Sequence, residues 1–303
     1  MTHPSGSWVA IPTPFNQDGT IDYGGFETLI DFHTQHDTTM LLVMGSAGEA
    51  TLLTSEERRH IVTRVVKYAK GKIPVFFGAA LPTTADTVSF STFAEAEGAD
   101  GLVYLAPPYL LPPQEAVLTH LRTCMQSVTI PTAIYNNPAR VGVHITPDTI
   151  VTLAEECENF VADKEAMGDV RQLVEVKRRL GDRLSILCCD YPKYSILLPL
   201  LSLGGEGAAN IGGNLIPEEM AHMARPWNSY EQMIESRDLY FHYAPLLETF
   251  YRLPNPIVIK AALDHIGLPG GPLRLPNPNV KEPLLSSLKE MMDSFGVTSK
   301  YRG

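Results

Sequence analysis

The chain has 303 residues, 44% hydrophobic and 19% charged, with 34 acidic and 24 basic side chains and a formal net charge of −10. That length buries one large core or two modest ones, and the composition excludes a disordered or fibrous class. The acidic balance, with no stripe of Lys or Arg, argues against nucleic acid and anionic membranes as partners, because the average field repels both.

Along the chain, short apolar runs alternate with longer amphipathic segments. The run at 7–12 precedes a helical segment at 22–36; 39–45 precedes 54–70; 73–78 precedes 83–97; 100–106 precedes 113–128. The second half repeats the pattern: 131–135 then 147–157, 159–164 then 168–180, 183–188 then 191–203, and 206–211 then 216–225. Runs that are apolar on both faces and bounded by Gly, Pro or Asp predict buried parallel strands. The clearest helix is 54–70, where Thr54 and Glu57 form a capping box, Ile61, Val62, Val65, Val66 and Ala69 share one face, and Gly71 ends it.

Eight strand–helix repeats predict an α/β fold, a (β/α)8 or TIM barrel, over residues 1–226. Residues 227–303 carry only helical patterning, at 230–250, 254–266 and 281–295, and are expected to form a helical region beside the barrel. In such a barrel the chemistry sits at the C-terminal ends of the strands. Five stretches fall there: 45–49, 107–109, 135–140, Lys164 and 212–214.

Lys164 is the most informative of these. Strand alternation puts Phe160, Ala162 and Lys164 on one face, and Asp163 on the other. If the lysine face is the lumen, the amine enters a confined site, where burial favours the neutral form that attacks a ketone to give an imine. The competing reading is a solvated strand-end lysine paired with Asp163 or Glu165. Tyr135 could relay protons and Arg140 could grip a carboxylate with its two-pronged head, although Asn136-Asn137-Pro138 is also an ordinary turn signal. In Gly45-Ser46-Ala47-Gly48-Glu49, small residues let backbone N–H groups approach an anion, and Ser46 adds a hydroxyl. The glycines at 204–207 and 212–213 match no phosphate-binding fingerprint and are read as tight packing around the last strand.

Other chemistries find less support. The nine histidines form no H-E-x-x-H motif or Cys/His cluster, so no metal is expected, and no G-x-S-x-G elbow supports a hydrolase. Cys124, Cys157, Cys188 and Cys189 form no C-x-x-C pair and are read as reduced core residues. The N-terminal stretch shows no secretory signal. No apolar run reaches the ~18 residues of a membrane span. A cytoplasmic enzyme is the expectation.

The signals at 45–49, 107–109, 135–138 and 164–166 occur in an order that resembles the dihydrodipicolinate synthase / N-acetylneuraminate lyase family. The similarity runs over nearly the whole chain. It includes Ala10-Ile11-Pro12-Thr13-Pro14-Phe15, the spacing of 29 residues between Tyr135 and Lys164, and Asn255-Pro256 leading into Lys260-Ala261-Ala262-Leu263. The resemblance implies a class I lyase in which Lys164 captures pyruvate as a Schiff base, with no added cofactor. Tyr135 would be the centre of a proton relay with Ser46, and Tyr109 would complete the relay of a neighbouring subunit. The Ser46 and Ala47 N–H groups would hold the pyruvate carboxylate, and Arg140 the carboxylate of the second substrate. It further implies a homotetramer, a dimer of dimers, condensing pyruvate with aspartate semialdehyde. The alternatives are a related aldolase or dehydratase acting on another 2-oxo acid, and a non-catalytic small-molecule-binding barrel. Ala47, Asn137, Val141 and Asp163 depart from common family residues, and Asp163 faces the helix layer without an evident partner, Lys193 or an arginine being candidates.

Overall fold

The structure, a computed structural model, describes residues 3–189 and 196–302. Each expected apolar run forms a strand: β1 Gly6–Ala10, β2 Met40–Val43, β3 Val75–Gly78, β4 Gly101–Tyr104, β5 Thr132–Asn136, β6 Phe160–Glu165, β7 Ser185–Cys189 and β8 Gly207–Asn210. They pair in parallel in chain order, and β8 returns to β1 to close the barrel. The helices α1 Tyr23–Gln35, α2 Ser55–Ala69, α3 Thr84–Glu97, α4 Gln114–Met125, α5 Pro138–Val141, α6 Pro147–Glu156, α7 Val170–Leu180, α8 Leu197–Ser202 and α9 Pro217–Ala224 lie between or after the strands. Every residue of the eight strands is buried, as expected when helices cover the outer face of a parallel sheet.

Local signals place these elements well. The Thr54 hydroxyl accepts from the Glu57 N–H at 3.2 Å while the Glu57 carboxylate takes the Thr54 N–H at 2.9 Å, which caps α2 as the sequence suggests. In the glycine-rich stretch before β8, a Cβ on Gly207 would lie 2.1 Å from the Gly6 carbonyl oxygen, so the glycine serves close packing of β8 on β1. Among the described residues, α5, where a plain turn is expected, and a short C-terminal helix go beyond the sequence expectation. The helix expected at 191–203 appears as α8; residues 190–195, including Lys193, lie outside the described residues.

Residues beyond α9 form α10 Tyr230–Thr249, α11 Ile257–His265, α12 Leu284–Ser294 and α13 Val297–Lys300. α10 packs on α9 and on α12. Among the described residues, no helix is long and apolar enough to cross a membrane.

Strand register decides which side chains meet. Level partners in a parallel pair share a face, and Leu42 is level with Phe76, Gly78 with Val103, Val103 with Ala133, and Tyr135 with Lys164. Lys164 is in turn level with Leu187. Leu42, Gly78, Val103 and Tyr135 all line one cavity, so this shared face is the lumen. Asp163, level with Ile134 and Ile186, faces the helices.

Candidate active site

The cavity at the C-terminal end of the strands has a volume of about 360 Å³. Ser46, Tyr135 and Arg140 all line it, and Pro254–Pro256 and Pro276–Asn277 close it from the C-terminal region. A wider groove of about 510 Å³, between α11 and residues 271–289, contains none of the candidate site residues.

Lys164 lies at the inner edge of this site. It is buried, and its Nζ sits 4.6 Å from the centroid of the Tyr135 ring rather than on the cavity surface. Among the described residues no carboxylate pairs with it. The competing reading of the sequence fails here on geometry: Asp163 and Glu165 lie on the other face of β6 and bond each other. Glu165 also accepts from Asn136 Nδ2 at 2.9 Å, Gln172 Nε2 at 3.2 Å and the Met167 N–H at 2.6 Å. Among the described residues the partner of Asp163 is therefore a second carboxyl group. Burial pushes the Asp163 carboxyl well above its usual range and raises Glu165 to about 7, so the pair shares a proton that Asp163 donates to Glu165.

The Tyr135 hydroxyl is held within its own subunit. Asn137 Nδ2 donates to it at 2.6 Å, and Cys189 Sγ lies 3.4 Å away. Burial, helped by the Cys189 sulfur, drives the hydroxyl well above its ordinary pKa, while the Arg140 charge and the Asn137 hydrogen bond act in the opposite direction. Ser46 shares the cavity with Tyr135 but is not hydrogen-bonded to it among the described residues. All four cysteines are buried without a disulfide, yet Cys189 is more than core filling, since it touches this hydroxyl.

The loop after β2 is a tight turn. The N–H groups of Gly48, Glu49 and Ala50 bond within the loop, to the carbonyls of Gly45 and Ser46. No bond among the described residues uses the N–H groups of Ser46 and Ala47, the two that the resemblance assigns to a carboxylate. Gly78 of β3 abuts the loop: a Cβ there would lie 2.2 Å from the Met44 carbonyl oxygen. The loop is locked from below by Glu49, which takes Lys260 Nζ at 2.8 Å, the Arg274 N–H at 3.0 Å and Asn277 Nδ2 at 3.1 Å. Lys260 is fully buried and also donates to the Thr13 and Pro272 carbonyls.

The remaining candidates separate. Ala47 is buried in the loop, and Arg140 stands on the exposed rim in α5. Tyr109 is 94% exposed and does not reach the cavity of its own chain, whereas its neighbour Pro108 does. Sequence reasoning misses the parts played by Asn137, Cys189 and the C-terminal lining. In the sequence Asn137 is part of a turn signal and a departure from common family residues; its i, i+2 spacing from Tyr135 across a strand end is the signal that could have found its contact.

Comparison with known proteins shows the family and the fold. The model of the dihydrodipicolinate synthetase family matches residues 3–295. The 4-hydroxy-tetrahydrodipicolinate synthase of Aquifex aeolicus is 33% identical over 295 residues, covering 97% of this chain and 99% of that protein. The crystal structure of dihydrodipicolinate synthase from the same organism superposes with a TM-score of 0.91 at 32% identity, over 97% of this chain and 99% of that one. DHDPS from Cyanidioschyzon merolae, solved with lysine bound, gives a TM-score of 0.92 at 30% identity, over 97% and 98%. The fold and site define a β/α barrel with a lysine and a tyrosine level on adjacent strands. The chain belongs to the dihydrodipicolinate synthetase family.

Proposed function

We propose that this chain is a Schiff-base-forming lyase that condenses pyruvate with aspartate semialdehyde, the 4-hydroxy-tetrahydrodipicolinate synthase reaction. The observation that carries this is Lys164: a buried amine on the lumen face, over the Tyr135 ring, with no carboxylate partner among the described residues. Such an amine is a nucleophile for a carbonyl carbon. Pyruvate enters through the cavity and places its carboxylate on the Ser46 and Ala47 N–H groups. Lys164 attacks C2, Tyr135 protonates the departing hydroxyl, and the iminium loses a methyl proton to become an enamine. That carbon nucleophile attacks the aldehyde, whose own carboxylate is gripped by Arg140 at the rim. The chemistry needs no metal or cofactor.

Tyr109, with no role in its own cavity, acts in that of a second copy. On this basis the active unit is at least a dimer, and the resemblance to the family extends this to a cytoplasmic homotetramer. The test is a product screen by NMR, with pyruvate and a panel of aldehydes. Consumption of aspartate semialdehyde together with pyruvate supports the reading; turnover of pyruvate with another aldehyde only replaces it with a sister activity of the family.

A further inference from the structure

The environment of the Tyr135 hydroxyl is fixed by a residue with no assigned part in the reaction. Asn137 is wholly buried, and its Nδ2 lies 2.6 Å from the Tyr135 oxygen. A tyrosine oxygen has one proton to give and two lone pairs with which to accept. An amide N–H occupies a lone pair and leaves the proton free. A second contact of this oxygen among the described residues, Cys189 Sγ at 3.4 Å, is weak whichever atom donates, and a substrate oxygen displaces it readily. Packing alone does not explain the amide. Asn137 Oδ1 is buried with no partner among the described residues, a cost that an apolar side chain of the same size would avoid.

We propose that Asn137 is the positioning residue of the proton relay, turning the Tyr135 proton toward the departing hydroxyl and holding the phenolate once the proton has left. This rests on the pyruvate-lyase reading above. In the step concerned, the Tyr135 proton passes to the hydroxyl of the carbinolamine on Lys164. The C–O bond breaks, water leaves with the bonding pair, and the lysine nitrogen lone pair forms the C=N bond. The Asn137 N–H then donates to a phenolate, where a hydrogen bond is strongest. The phenolate next takes a proton from the pyruvyl methyl group, giving the enamine and restoring the hydroxyl. Burial disfavours the phenolate, so the donated bond acts where charge develops.

The test uses Asn137→Leu, which keeps the size and removes the donor, and Asn137→Asp, which is nearly isosteric and accepts instead of donating. Two readouts need pyruvate alone: borohydride trapping, and exchange of the pyruvate methyl protons with deuterated solvent. For Asn137→Leu the exchange rate and kcat should fall roughly 10–100-fold, the value of a hydrogen bond to a charged group. KM for pyruvate should stay within about threefold, since this bond matters only after binding. The solvent deuterium isotope effect on kcat should rise as proton transfer becomes limiting. Asn137→Asp should lose at least as much. If Asn137→Leu does not fold, Asn137→Asp decides alone. Wild-type exchange and kcat in the folded variants overturn the proposal, as does a loss expressed wholly in KM. If the wild type neither traps pyruvate nor exchanges its protons, the lyase reading fails instead, and the two failures are told apart by that control.

Discussion

Arg140 projects from a four-residue helix at the rim, sharing the cavity with Ser46 and Tyr135. In the proposed reaction this position would separate two stages: pyruvate capture would depend on Lys164, Tyr135 and the 45–49 loop, and selection of a second, carboxylate-bearing substrate on the guanidinium fork. Arg140→Ala should therefore still trap pyruvate but weaken condensation with aspartate semialdehyde, by roughly 2–5 kcal/mol if the charged pair is desolvated. Steady-state kinetics beside an adduct assay measures both; loss of the adduct as well would make Arg140 a support of the β5–α5 turn. At this scale the sequence reveals the residue types that do chemistry but not what they touch. Lys164, Tyr135, Ser46 and Arg140 stand out because amine, phenol, hydroxyl and guanidinium at strand ends are unusual for a core. Asn137 and Cys189 look like a turn residue and a core residue, and only three-dimensional contact sets them on the Tyr135 hydroxyl.

Strand β6 presents an amine on one face and a pair of carboxyl groups on the other. Alternation is enough to place Lys164 in the lumen and Asp163 toward the helices, but it cannot supply Asp163 with a partner, because Glu165 is a like charge and only a shared proton makes the pair tolerable. Lys193, a candidate from sequence, lies outside the described residues. The pair makes stability depend on pH. A carboxyl whose folded pKa is raised holds its proton more tightly in the folded state. Its stabilising contribution is complete below the unfolded value near ~4.3 and is lost as pH rises through the folded one. For Glu165 that window runs from about pH 4 to about 7, and Asp163, whose carboxyl is also raised well above its usual range, loses its contribution in the same direction. Asp163→Asn keeps a donor for Glu165 and removes one acid. Relative to the wild type, the variant should gain roughly 1–3 kcal/mol on going from pH 5 to pH 8. Thermal or denaturant unfolding at the two pH values checks this, and parallel pH dependence of the two proteins would refute the shared proton.

Across the whole molecule, the barrel is legible in the sequence because eight buried runs, each followed by an amphipathic segment, leave few other ways to cover both faces of a parallel sheet. The role of the C-terminal residues is less visible. In sequence Lys260 is only one residue of a stretch that resembles the family and Asn277 draws no notice, yet they reach back more than 200 positions to hold Glu49 and the loop above it. Assembly is the other property of the molecule as a whole. Tyr109, Leu110 and Leu111 are 94%, 68% and 62% exposed, and Tyr109 and Leu111 have positive φ values of 73° and 49°. A strained, apolar, outward-facing loop is costly in an isolated chain and suits a surface covered by a second copy. Light scattering on the active enzyme should find a dimer or larger, and Tyr109→Ala should lower turnover; a fully active monomer would remove Tyr109 from the relay.

Catalysis by a covalent amine, the centre of this functional reading, rests on Lys164. Incubation with pyruvate and borohydride, followed by intact-mass measurement and peptide mapping, tests it most directly. The expected result is one reduced pyruvyl group per chain, on the peptide containing Lys164, and none in Lys164→Ala. An adduct on another residue, or its absence in enzyme that turns over pyruvate, would contradict it.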